Sequence, residues 1–167
     1  MPEAELRLAS LGISLPEVMP PVVEGYVPAF VPYVVSGDHI HISGRLAKQS
    51  GVVLVGKLGD QLGLEQGQRA ARDVAIELIA VLKAALGDLG RVQRLVRMCV
   101  MVNCTPTFTD VHTVANGASE LLTQVFGDRG AHARSVFGAA QVPFGACMEI
   151  DLVAEIKPPG RSPTSLA

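Results

Sequence analysis

The sequence predicts an α+β fold, in which a mixed six-stranded sheet carries two helices on one face and a short helix stands at the N-terminus. Strand-like segments occur in groups, and two long segments repeat apolar residues at helical spacing. Hydrophobic residues make up 49% of the 167-residue chain, which is enough for one core. We therefore expect a single domain over residues 1–157 and a disordered tail over residues 158–167.

The first third of the chain is predicted to form a short helix and three short strands. The helix covers residues 3–11, and a proline-rich extended segment follows it. Two apolar runs, 27–35 and 39–44, flank the turn signal SGD at 36–38, which is typical of a β-hairpin. A third strand is expected over residues 52–55, before a glycine-rich loop.

The rest of the chain is predicted to contain both long helices. Apolar residues recur every three or four positions over 64–86, which indicates a helix that Gly87 ends. The other predicted elements are a strand buried on both faces over 91–103, a helix over 105–127, and strands over 133–139 and 146–156.

The free face of the predicted sheet needs a cover, because the sequence supplies no third layer of elements. Charged residues are 18% of the chain, a low fraction for a protein that stays a monomer. We therefore expect another copy of the chain to cover this face.

Composition excludes several classes of function. The formal net charge is −2, aromatic residues are 4%, and tryptophan is absent, which argues against a nucleic-acid-binding surface. No apolar run is long enough for a membrane span, and the start of the chain lacks the apolar core of a signal peptide. The cysteines form no CxxC motif, so we expect a cytoplasmic protein with reduced thiols at Cys99, Cys104 and Cys147.

Two isolated charges stand out in the segment AHARSVFGAAQVPFGACMEI at 131–150. Arg134 lies in one apolar run and Glu149 in the next, although a charge in such a run is costly unless something pairs with it. Either the two side chains pair with each other, or one of them binds a ligand.

Several short motifs occur in a specific order: SGRL at 43–46, NGASELL at 116–122, ARS at 133–135, VP at 142–143 and MEI at 148–150. From about Val22 to Ile156 the chain resembles the YjgF/RidA family, in particular its longer "YjgF-like" branch, also called endoribonuclease L-PSP-like. The resemblance implies a chorismate-mutase-like fold of the bacillus type and a homotrimer with ligand clefts between subunits. It also implies hydrolysis of enamines and imines such as 2-aminoacrylate to a 2-keto acid and ammonia, without a cofactor or metal.

The two isolated charges match the family's catalytic positions. Arg134 would grip the substrate carboxylate through paired hydrogen bonds. Glu149 would hold a water molecule near the imine carbon and move its protons. A structural ion pair for Arg134, in the chain or between subunits, and a solvent-facing role for Glu149 remain open.

Five further residues match the family's substrate-binding positions. Tyr26 would close the pocket, Gly44 would offer its backbone amide, and Ser43 would support Gly44. Asn116 would orient a polar group, and Val136 would present a backbone carbonyl where many members have cysteine. For each, an ordinary role in packing, in a turn or on a helix surface stays open.

Some neighbouring residues depart from the family pattern or suggest other chemistry. Gly25 stands where the wider family usually has proline, while Phe137 and Phe144 are expected to reshape the pocket. His39 and His41 alternate onto one strand face, but no third ligand is near in sequence, so we expect no metal site.

Two other functions remain open at this stage. The same cleft could bind a small carboxylate metabolite without turning it over. Ribonuclease activity or translation inhibition, an older label for the family, fits the slightly negative charge poorly.

Overall fold

The computed structural model describes residues 2–18 and 25–157, so the tail expected over 158–167 lies outside the described residues. The elements of the described chain are α1 (Glu3–Ser10), β1 (Tyr33–Ser36), β2 (His39–Leu46), β3 (Lys48–Gln49), β4 (Val52–Val53), α2 (Leu64–Leu86), β5 (Val92–Asn103), α3 (Val111–Phe126), β6 (Ala133–Ala139) and β7 (Met148–Ile156). The predicted α+β class is confirmed.

The main sheet has five strands in the order β1-β2-β7-β5-β6. Neighbouring strands are antiparallel except β5 and β6, which are parallel and are joined by α3 as a crossover helix. This order makes β6 an edge strand beside α3 and places β7 at the centre of the sheet.

The prediction of six strands in this sheet was wrong. The segment expected as a strand over 52–55 contributes only β4, which pairs with β3 in a separate two-stranded hairpin. Ser50 and Gly51 between them have φ of +52° and +80°, as in the tight turns that fold a chain directly back on itself.

Element boundaries follow the prolines and glycines of the sequence. The hairpin strand expected from residue 27 begins at Tyr33, after Pro28 and Pro32. The helix expected from 105 begins at Val111, whereas α2 has the predicted bounds and ends at Gly87, whose φ is +73°.

The core lies between the sheet and the two long helices. On β7 buried residues alternate with partly exposed ones, as expected for a strand that has helices on one face only. The prediction that β5 is buried on both faces does not hold within one chain, since Cys99 and Met101 remain partly exposed.

The short helix α1 extends the helical layer. Ala4 and Leu8 on its inner face are buried, and it packs mainly against α3. The Lys83 Nζ of α2 lies 2.5 Å from a carboxylate oxygen of Glu5, and this ion pair links α1 to α2 as well.

The sheet face opposite the helices stays open in the single chain. Val34 and Phe137, which lie on strands of this sheet, are about half exposed, at 52% and 48%. Exposed apolar side chains on a sheet are typical of a surface that another molecule covers. None of the described helices is long and apolar enough to cross a membrane.

Candidate active site

The first group of predicted site residues surrounds Arg134 on the edge strand β6. Its Nη1 donates hydrogen bonds to Asn116 Oδ1 and Ser119 Oγ, both at 3.0 Å. Its Nη2 donates to the backbone carbonyl of His112 at 3.3 Å. Asn116 and Ser119 are three residues apart on α3 and therefore share one helix face, which aims both oxygens at the guanidinium.

Ser119 is linked in turn to His132, just before β6. His132 Nδ1 lies 2.6 Å from the carbonyl oxygen of Gly130, and its Nε2 lies 3.1 Å from Ser119 Oγ. A carbonyl only accepts, so Nδ1 carries a proton, and in the neutral ring Nε2 accepts from the Ser119 hydroxyl. Ser119 was not among the predicted site residues, although it stands about one helical turn from Asn116.

Val136 belongs to the same group. It lies two residues after Arg134 and therefore on the same strand face. Its side chain is partly buried and packs against the core, and it pairs with Val100 of β5.

The second group surrounds Glu149 on β7, at an irregularity in β2. Ile42 pairs with Leu152 and Arg45 with Ile150, so Ser43 and Gly44 face a single residue of β7. This is a β-bulge, which bends the strand and redirects its backbone. A Cβ added to Gly44 would overlap the Glu149 carboxylate, so glycine is what lets this carboxylate lie against β2.

Ser43 does not line the pocket beside Glu149. Its Oγ donates to the carbonyl oxygen of Val31 at 2.7 Å, and its backbone N–H donates to that of Pro32 at 3.0 Å. Ser43 thus fixes the segment that leads into β1, and this segment includes Phe30, which does line the pocket.

The pocket itself has a volume of about 120 Å³ and mostly apolar walls. Its lining residues are Tyr26, Phe30, Gly44, Arg45, Leu46, Lys48, Val53, Pro143, Phe144 and Glu149. The Tyr26 and Phe144 rings meet edge to face, with centroids 5.5 Å apart. Gly25 before Tyr26 has a φ of +82°, which a proline ring at that position could not adopt.

Phe144 adopts a backbone conformation that is unusual for its residue type. Its φ is +60° and its ψ is 16°, within the left-handed region. A non-glycine residue there costs of order 1–2 kcal/mol. Strain of this kind persists where the surrounding structure holds it, often at functional sites.

The ionisable groups at the pocket differ in their charged neighbours. Burial raises the pKa of the Glu149 carboxyl, and the neighbouring Asp151 carboxylate raises it further. Arg45, which is only 4% exposed, and Lys48 both bind Glu77, with nitrogen–oxygen distances of 3.3 and 3.1 Å.

The two groups do not meet within one chain. Arg134 pairs with Met98, which is buried under the helices, whereas Glu149 pairs with Met101, three positions further along β5. An odd spacing along a strand places side chains on opposite faces of the sheet. A direct ion pair between Arg134 and Glu149 of the same chain is therefore absent, and Arg134 has no acidic partner among the described residues.

Two other sets of residues lie apart from both groups. His39 Nδ1 contacts the Asp38 carboxylate at 2.6 Å. Within residues 2–18 and 25–157, no three histidine, cysteine or acidic side chains cluster as metal ligands would. Phe137 pairs with Met101 on the open sheet face and does not line the pocket, in contrast to Phe144.

Comparison with known proteins gives consistent matches along the chain. Residues 5–156 match the family model described as "YjgF/chorismate_mutase-like, putative endoribonuclease". Protein TCP17 of Trypanosoma cruzi is 45% identical over 152 residues, which cover 90% of this chain and 92% of that protein.

Two crystal structures are similar over almost their whole length. Atu1372 of Agrobacterium tumefaciens, a protein of unknown function, is 37% identical with a TM-score of 0.82, and the match covers 93% of this chain and 94% of that one. A protein of Shewanella oneidensis MR-1 with the same endoribonuclease description is 28% identical with a TM-score of 0.84, over 92% and 99% of the two chains. The resemblance predicted from the motifs is thus confirmed, and the chain belongs to the YjgF/chorismate mutase-like family.

Proposed function

We propose that this protein hydrolyses 2-imino acids, and the enamines in equilibrium with them, to 2-keto acids and ammonia. The reaction would take place between neighbouring subunits of a homotrimer, where the Arg134 group of one subunit meets the Glu149 pocket of the next. The observation that carries the proposal is that one chain holds two incomplete sites: an ordered arginine without an acidic partner in the described chain, and a half-buried carboxylate beside an apolar pocket.

Arg134 has the chemistry to bind the substrate carboxylate. A guanidinium carries five N–H donors in one plane, and three hydrogen bonds to α3 hold this one in place. The donors not used by α3 can meet a carboxylate in the paired geometry that arginine favours. Asn116 and Ser119 act as positioning residues in this arrangement.

Glu149 supplies the proton transfers. Its carboxylate takes a proton from a water molecule while the water oxygen bonds to the imine carbon, and the imine nitrogen takes up a proton from solvent. The Glu149 carboxyl then passes its proton to the amino group of the carbinolamine. The C–N bond breaks, the hydroxyl proton returns to solvent and the carbonyl forms, so imine and water give keto acid and ammonia. Burial raises the pKa of the Glu149 carboxyl above its usual value, which makes the carboxylate a better proton acceptor than an exposed glutamate.

A coupled assay tests this function. An amino-acid oxidase generates the imino acid in situ, and the rate of keto-acid release is followed with and without the protein. We expect the wild type to accelerate keto-acid release. Arg134→Ala and Glu149→Gln should each lower kcat/KM by at least about a hundredfold. Leu6→Ala, at an exposed position of α1 that belongs to neither group, is the control.

Two outcomes would favour another function. If a 2-keto acid raises the Tm of the wild type through Arg134 but no imine is hydrolysed, the cleft is a binding site without turnover. The family description names an endoribonuclease, so RNA cleavage at low salt is measured in parallel. If the wild type cleaves RNA and Arg134→Ala does not, ribonuclease activity would replace imine hydrolysis as the proposed function.

A further inference from the structure

The pocket next to Glu149 is too apolar to serve only the reacting imine. Its walls include the side chains of Tyr26, Phe30 and Phe144, and Leu46 and Val53 complete the apolar surface. A cavity of about 150 Å³ with apolar walls is known to hold a benzene molecule. At about 120 Å³, this pocket suits a branched aliphatic chain or a small ring.

Both basic side chains at the pocket bind a carboxylate of the protein, whereas no ion pair to Glu149 occurs among the described residues. Arg45 and Lys48 both bind Glu77 of α2, so their charges face a carboxylate of the protein. Glu149 stands at the same pocket and would repel an acidic substituent. The polar lining therefore favours a substrate whose side chain is uncharged.

Phe144 occupies a position where glycine would be the unstrained choice. Its φ of +60° is followed by a φ of +70° at Gly145, and the ring still meets Tyr26 at a centroid distance of 5.5 Å. The residue is 46% exposed, so burial within the chain does not account for a phenylalanine in this conformation. Its contact with Tyr26 makes it one wall of the pocket.

We propose that this pocket receives the substrate's side chain, that it selects 2-imino acids with large aliphatic or aromatic side chains, and that Phe144 sets this selection. The inference rests on the proposed function, which identifies the reacting group as a 2-imino acid. It adds the substrate class and a specificity-determining residue.

Hydrolysis rates provide the first test. L-Amino-acid oxidase generates the imines of leucine and of alanine, and kcat/KM is measured for each with wild type and with Phe144→Gly. We expect the wild type to prefer the leucine-derived imine by at least about tenfold in kcat/KM, and the variant to prefer it by less than about threefold. Equal rates for both imines in the wild type would overturn the selection while leaving the proposed function intact.

Binding of stable keto acids separates the two proposals. The Tm shift is measured with 4-methyl-2-oxopentanoate and with pyruvate at equal concentrations. A larger shift with 4-methyl-2-oxopentanoate, lost in Phe144→Gly, supports the selection even if no imine is hydrolysed. Equal shifts in the wild type would overturn it.

The variant is designed to keep the fold. Glycine adopts the left-handed conformation of residue 144 without strain, so Phe144→Gly is expected to fold, and its oligomeric mass is compared with that of the wild type. Leu6→Ala removes an apolar side chain of similar exposure, 53%, from α1 and is expected to leave the preference unchanged. A preference lost equally in Leu6→Ala would show that Phe144 has no specific role.

Discussion

At Gly44, the absence of a side chain decides where a carboxylate lies. The β-bulge at Ser43–Gly44 opens a space on β2, and the Glu149 side chain fills it. Any larger residue at position 44 competes with Glu149 for the same volume. The position of the proposed catalytic carboxylate therefore depends on a residue of a different strand.

Replacing Gly44 with alanine tests this dependence. The added Cβ overlaps the flexible end of the Glu149 side chain, so we expect the carboxylate to move aside at a cost of about 1 kcal/mol or less in the free energy of unfolding, measured by urea denaturation. Imine hydrolysis should fall as the carboxylate is displaced. In a Glu149→Ala background the same substitution should cost much less, and an equal cost in both backgrounds would contradict the steric explanation.

The raised pKa of the Glu149 carboxyl makes stability depend on pH. The folded chain binds this proton more tightly than the unfolded chain, so the charged carboxylate opposes folding above the raised pKa and has no such effect below its ordinary value. We expect Glu149→Gln to be more stable than the wild type at pH 8, with the difference shrinking toward pH 4. Urea denaturation at both pH values measures it, and a difference independent of pH would contradict the assignment.

Single residues could be singled out from the sequence where a side chain contradicts its surroundings, and their catalytic and binding roles stay predictions. Arg134 and Glu149 were identifiable because each is a charge in an apolar run, and Gly44 because it lies in a short motif. Ser119 was not identifiable in this way, since a serine on a helix is ordinary and its contact with Arg134 requires β6 to run beside α3. Ser43 lies in the same motif as Gly44, and its hydroxyl binds the Val31 carbonyl rather than lining the pocket.

Among the elements, α1 shows how a short helix is held by one face. Leu8 is 4% exposed and Leu6 is 53% exposed, although both lie within the same eight-residue helix. A helix this short is marginal alone, so packing must supply its stability.

These two leucines form a matched pair for measurement. We expect Leu8→Ala to lower the free energy of unfolding by about 2–3 kcal/mol and Leu6→Ala to change it by less than about 0.5 kcal/mol. Chemical denaturation of both variants provides the comparison. Similar losses in the two would mean that α1 does not dock on α3 through its Leu8 face.

Long periodic elements were predictable, whereas short strands were not. The bounds of α2 follow from its apolar stripe and from Gly87, and those of β6 match the prediction as well. The predicted number of strands in the main sheet was wrong because of β4. Its partner strand is set by the turn at Ser50 and Gly51, which have positive φ values, and not by the residues of β4. A two-residue strand carries too little periodicity to reveal this.

At the scale of the whole molecule, the open sheet face and the two separated site groups suggest the same kind of assembly. We propose that neighbouring copies cover the open face and bring Arg134 of one chain to Glu149 of the next. Analytical ultracentrifugation should then give three times the 17.6 kDa mass of the chain. A monomer that still hydrolyses imines would contradict the shared site.

Mixing two inactive variants tests whether the site is shared. When Arg134→Ala and Glu149→Gln chains are co-expressed in equal amounts, about a quarter of the sites between subunits would carry both wild-type residues. We therefore expect about a quarter of the wild-type activity from the mixture and almost none from either variant alone. Mixed trimers without regained activity would contradict a site shared between subunits.

The three hydrogen bonds that α3 provides to Arg134 have a consequence for entropy. A free arginine side chain that becomes immobilised on binding costs about 0.5–1.5 kcal/mol in lost rotational freedom. Here Asn116, Ser119 and the His112 carbonyl restrict the rotamers of the guanidinium when the chain folds, before any carboxylate arrives. Part of the affinity for an anion is thus set by the packing of α3 against β6. A substitution that shifts this helix can weaken binding without touching the ligand.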